Sequence, residues 1–166
     1  MGTIRLISAA ALFAFACVAP VSARAQEVDA PVQQVSASPF LIMYKYFNVE
    51  YERRLTKATT WGVSTSFVPG RNADYRNVGG FWHFYPGGRA LQGFYIGGRV
   101  QLHHGSALNE SANFGGVGFE LGKNWIIGRR TLVGIGVGAT RLFGGSLAGE
   151  SLTLPTFRIA NVGITF

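Results

Sequence analysis

The sequence predicts an all-β fold: an eight-stranded antiparallel up-and-down transmembrane β-barrel with a filled, polar interior. Three observations predict it. Apolar residues recur at every second position over most of the chain beyond residue 30. The breaks between these runs alternate between short and long, as periplasmic turns and extracellular loops do in a membrane barrel. The polar positions carry Gly, Ser and Thr rather than the many Lys and Glu of a soluble exterior. Composition agrees. With 166 residues, 48% apolar and 14% charged, the chain is too apolar to be disordered and long enough for one domain. Its 23 Gly are about twice the ordinary share of roughly 7%.

Residues 1–25 have the layout of a cleaved secretory signal peptide: Arg5, an apolar run from Ile7 to Val18, then Ala23-Arg24-Ala25. The run is too short for a spanning helix. Cleavage removes Arg5 and Arg24, so the formal charge falls from +7 to about +5. It also removes Cys17, the single cysteine, so the mature chain has no disulfide. Residues 26–166 form the barrel domain.

The strands follow by alternation. In 47–54, Phe47, Val49 and Tyr51 oppose Asn48, Glu50, Glu52 and Arg54. In 61–67, Trp61, Val63, Thr65 and Phe67 oppose Gly62, Ser64 and Ser66. In 93–104, Phe94, Ile96, Val100 and Leu102 oppose Tyr95, Gly97, Arg99, Gln101 and His103. In 114–126, Val117, Phe119, Leu121 and Trp125 oppose Gly116, Gly118, Glu120, Gly122 and Asn124. In 131–140, Val133, Ile135, Val137 and Ala139 oppose three Gly and Thr140. Six strands are expected at 59–69, 76–85, 92–104, 113–126, 131–143 and 156–166. Two more fit in 31–55, with a tight turn near Met43 to Lys45, because an even count leaves no unpaired edge in lipid. Short breaks fall at 56–58, 86–90 and 128–130, and long ones at 69–75, 105–112 and 144–154.

Parity does not say which face is inside. A lipocalin-like soluble binding barrel has the opposite sense and is the second alternative. The inverted arrangement is favoured by Trp61, Trp82 and Trp125, which all fall near the proposed periplasmic ends. Phe84, Tyr85, Phe94 and Phe166 join them in an aromatic girdle. The chain ends RIANVGITF, with Val162, Ile164 and Phe166 on one parity. That ending resembles the C-terminal strand of Gram-negative outer-membrane barrels, where a terminal Phe with alternating apolar residues is read by the barrel-assembly machinery. The blocks VEYERRLT (49–56), GFYIGGRV (93–100) and LPTFRIANVGITF (154–166) resemble small OmpA/OmpX-like barrels, closest to an uncharacterised family of them. The resemblance covers roughly residues 38–166. It implies the fold and an outer-membrane location, and no activity.

On this reading Glu50, Glu52, Arg54, Arg99, Gln101, Glu120 and Asn124 point inward, with Arg99 and Glu120 diagonal on paired strands. Paired charges filling a narrow interior imply a plug rather than a pore. Arg71, Arg76, Arg141 and Arg158 fall near the outer rim, where Arg pairs with lipopolysaccharide phosphates. An enzyme is the first alternative. His104 and Ser106 give a His-x-Ser similar to that of outer-membrane lipid A deacylases, with Ser106 as nucleophile, His104 as base and Glu110 as orienting group. Such a hydrolase would put its motif near the seventh strand, whereas here it is on the fifth. No dinucleotide fingerprint, metal-ligand spacing or nucleic-acid module is present, so no cofactor or metal is expected. The expected role is non-enzymatic: envelope stability, or loop-borne contact by a monomer with lipopolysaccharide or a partner.

Overall fold

The computed structural model describes residues 31–70, 73–107, 110–144 and 152–166. Residues 1–25, expected as a signal peptide, and Arg71 lie outside them. Eight antiparallel strands close a barrel in chain order: β1 (Gln33–Ala37), β2 (Phe47–Arg54), β3 (Thr59–Val68), β4 (Ala73–Phe84), β5 (Gly93–Ala107), β6 (Glu110–Ile127), β7 (Thr131–Phe143) and β8 (Leu152–Thr165). The end carrying Val32, Phe166 and the connections 55–58, 85–92 and 128–130 is called lower here, the other upper. At the lower end Val32 and Gln33 both donate to the Phe166 carbonyl, which ties the two described chain ends together.

Alternation sets the faces. Val100, Leu102, Phe119 and Phe157 are each more than half exposed on the outside, while Glu52, His83 and Asn161 are fully buried in the lumen. Trp61, Trp82 and Trp125 lie on the outer face. Trp61 and Trp82 are register partners near the lower end, and the Trp82 and Phe84 rings stack at 6.5 Å.

Four expectations are corrected. First, the two strands expected in 31–55 are not joined by a tight turn at 43–45 alone. β1 stops at Ala37, and Pro39–Tyr44 is a 3-10 turn ended by Lys45 in the left-handed region at φ 58°. Pro39 sets a turn φ and has no N–H to give to a ladder. Second, the long break at 105–112 is mostly strand. β5 runs to Ala107 and β6 starts at Glu110, with Ser106 opposite Ser111, because pairing satisfies backbone groups whatever the side chains are. Third, Tyr85 is not in the outer girdle: it follows outward Phe84, turns into the lumen and is fully buried.

The fourth correction concerns Arg158. Between Gly134↔Asn161 and Gly136↔Arg158, β7 advances two residues and β8 three. The extra residue makes a β-bulge, with Ala160 at φ 44°. It shifts the parity of β8, so Asn161 and Thr165 point inward below it, and Arg158 points inward above it. Arg158 is therefore a lumen residue, not a rim residue.

The seam between β1 and β8 is short. It has four register pairs, from Gln34↔Thr165 to Ala37↔Val162. Above Val162, no described strand pairs with this edge of β8; the Pro39–Tyr44 turn leans against it instead.

Candidate functional site

The lower half of the lumen is filled by side chains from the strands and from the turn after β4. Glu52 on β2 collects donors: Gln34 Nε2 at 2.5 Å, Tyr85 Oη at 2.9 Å, His83 Nδ1 at 2.9 Å and the Thr60 hydroxyl. The other ring nitrogen of His83, Nε2, meets Glu120 Oε1. Each of these two N···O contacts needs a proton between its atoms, so the ring donates at both nitrogens and is held as an imidazolium. Burial pushes the Tyr85 phenol well above its ordinary range, and the adjacent Glu52 carboxylate pushes it further. Tyr85 therefore donates to Glu52 and accepts from Asn124 Nδ2 at 3.1 Å.

A second layer lies above. Arg99 Nη2 is 2.7 Å from Glu120 Oε2 and 3.8 Å from Glu50 Oε1. The Arg158 guanidinium pairs with Glu50 through Nη2 and donates through Nη1 to Tyr95 Oη at 2.8 Å. Asn161 Nδ2 bridges Glu50 and Ser36 at 3.0 and 2.9 Å. The account balances: Glu50, Glu52 and Glu120 against Arg99, Arg158 and the His83 imidazolium. Such balance is what permits charges in a dry interior, where one unpaired charge costs several kcal/mol.

Glycine makes the space. A Cβ on Gly97 would sit 2.3 Å from His83 Cδ2, and one on Gly122 would sit 2.3 Å from Tyr95 Oη. The aromatic rings lie over bare backbone, and the His83 and Tyr95 rings come within 4.2 Å of each other.

The upper half is different. It encloses a cavity of about 410 Å³, floored by Glu50, Arg99, Glu120 and Arg158. Higher on its wall, Tyr75 Oη and His103 Nδ1 share a hydrogen bond at 2.6 Å, and Tyr75 Oη accepts from Asn77 Nδ2 at 3.3 Å. His103 Nε2 has no hydrogen-bond partner among the described residues. The same holds for Ser66 Oγ, Thr156 Oγ1 and Arg99 Nε.

Of the seven residues expected inside, the structure brings Glu50, Glu52, Arg99, Glu120 and Asn124 into the network and places Gln101 on the cavity wall. Arg54 shares their parity but lies half-buried at the lower end, and takes part in no ion pair among the described residues. Sequence reasoning missed His83, Tyr85, Tyr95, Gln34, Asn161 and the place of Arg158. Parity was a usable signal for His83, which alternates with outward Trp82 and Phe84. No such signal exists for Arg158.

Arg76 and Arg141 are exposed and lie over the Phe67 and Phe143 rings at 5.4 and 5.8 Å. His104 and Ser106 share the outward parity. The His104 ring donates through Nδ1 to Asn113 Oδ1 at 2.8 Å, and Glu110 is the register partner of Ala107, one step from Ser106. The residue that orients His104 is thus an amide, which holds no negative charge to stabilise an imidazolium. Val162, Ile164 and Phe166 line the outer face of the last strand.

Searches against protein-family models, curated proteins and solved structures find no match to this chain.

Proposed function

We propose that the chain is a non-enzymatic barrel of the Gram-negative outer membrane, similar to the OmpA/OmpX-like proteins its last strand resembles. Its role is to stabilise the envelope and to present its upper end to lipopolysaccharide or a partner. One observation carries this reading: large apolar residues cover the outside of the barrel, and the charged groups buried in its lumen are paired with one another. In water that arrangement exposes dozens of large apolar side chains and buries six charges; in a bilayer both choices are favourable. The outward residues Phe94 to Leu102 span about 26 Å along β5 at about 3.3 Å per residue. At a tilt of about 40° that is about 20 Å of depth, close to the apolar band of such barrels.

The supporting details are consistent with it. Trp61, Trp82 and Trp125 suit one lipid–water interface. Val162, Ile164 and Phe166 suit recognition by the assembly machinery after signal cleavage. Arg76 and Arg141 are placed to meet lipid phosphates. The filled lower lumen leaves no ion path.

Fractionation of the tagged full chain, with gel mobility before and after heating, tests the reading. A heat-modifiable band in the outer-membrane fraction is expected. A soluble periplasmic protein with one mobility sinks it. Planar-bilayer recording on the inserted protein is expected to give no conductance steps. Ser106→Ala and a gene deletion are expected to leave the lipid A acyl pattern unchanged. Loss of an acyl chain only when Ser106 is present would make the protein a hydrolase.

A further inference from the structure

The wall of the upper half has a side opening. Among the described residues, β8 between Leu152 and Asn161 has a partner strand on one side only, β7. Pro155 lies in this stretch, and a residue without an N–H is tolerated where a strand has a free edge. The cavity is lined by consecutive β8 residues, Leu154 through Ile159, of both parities. A wall seen from the lumen shows alternate residues, so an unbroken run means that the cavity reaches the strand edge. Opposite that edge stands the Pro39–Tyr44 turn. None of its residues is buried, and Phe40, Ile42, Met43 and Tyr44 are all about half exposed or more. Leu41 and Tyr46 line the cavity itself.

The chemistry changes from outside to inside. The lips are apolar: Leu41, Leu154, Phe157 and Ile159. The interior offers Ser66 Oγ, Thr156 Oγ1 and His103 Nε2, all buried and without a hydrogen-bond partner among the described residues. The charges below them already cancel, so the site has no surplus charge to match an ionic ligand. Hydroxyl and carbonyl groups match it.

We propose that this opening is a lateral binding site for a single-chain amphiphile with an uncharged, hydroxyl-bearing head, such as a monoacylglycerol. The head sits in the cavity against Ser66, His103 and Thr156, and the hydrocarbon chain leaves between β8 and the Pro39–Tyr44 turn into the bilayer. The site rests on the membrane reading above, since only a barrel set in lipid offers a hydrocarbon phase beside the gap.

The test uses the full chain refolded in phosphatidylcholine nanodiscs, with 1-monododecanoylglycerol titrated in and amide shifts followed by NMR. Saturable shifts are expected at Ser66, His103, residue 154 and residues 156–159, with little elsewhere. Ser66→Phe fills the cavity and is expected to weaken binding by about tenfold or more. Met43→Ser, on the exposed turn, keeps the fold and is expected to weaken binding several-fold. An inserted, folded barrel with no saturable shifts overturns the site. So do shifts spread evenly around the outer belt, which report bulk partitioning. Equal binding of free glycerol removes the role of the chain, and tighter binding of monododecyl phosphate removes the neutral head. A chain that never enters the nanodisc fails the membrane reading itself, and the site with it.

Discussion

The two halves of the barrel are built by the same strands, yet they solve different problems. In the lower half the buried charges are paired: Glu52 alone receives four donors, and the His83 ring spans two carboxylates, while Gln34 Oε1, Asn124 Oδ1 and Arg158 Nε have no partner among the described residues. In the upper half, among the described residues, three polar side chains face a cavity without partners, and one strand edge stands free. The lower half is closed on all sides by eight strands. The upper half is closed by seven and a turn. A network of paired charges specifies one arrangement, whereas unpartnered groups beside a cavity keep their capacity for something that binds. The bulge at Ala160 marks the boundary between them.

The largest expected effect comes from Arg158→Ala, which leaves Glu50 poorly compensated. A loss of about 3–5 kcal/mol is expected in equilibrium urea unfolding. Adding Glu50→Gln to that variant recovers part of the loss if the cost lies in the stranded carboxylate.

Smaller effects sharpen the contrast. Tyr85→Phe removes one donor to Glu52 and one acceptor for Asn124, with an expected cost of about 1–2 kcal/mol. Ser66→Ala, the matched change in the upper half, removes a hydroxyl without a partner. Its expected effect is within about 0.5 kcal/mol in the absence of ligand, and a cost as large as that of Tyr85→Phe erases the distinction between the halves. Ala160→Gly relieves a left-handed backbone and is expected to add up to about 1 kcal/mol of stability. Arg76→Ala at the exposed upper rim is expected to change stability by less than about 0.5 kcal/mol.

Much of this was legible in the chain itself. The faces of β2, β3, β5, β6 and β7 follow from alternation, since one residue per step and two faces leave only a choice of sense. Arg99 and Glu120 could be placed as diagonal neighbours because the short and long breaks set the hairpin order. His83 and Tyr95 carried the same parity signal as Glu120, but an imidazole and a phenol suit both a girdle and a lumen. Tyr85 was misplaced because parity stops being informative where a strand passes into its turn. The 105–112 segment was misread because Gly, Ser, Ala and Asn favour turns locally, and the ladder overrides that preference.

The sequence by itself determined the all-β class, the number of strands and the division of most residues between two faces. These depend on local spacing, and a period of two is written residue by residue. Only the tertiary structure decided where Arg158 points, which carboxylates His83 joins and that β8 has a free upper edge. Each of these depends on register between strands distant in the chain. A bulge is one residue counted against a partner strand, and no single strand carries that count within itself.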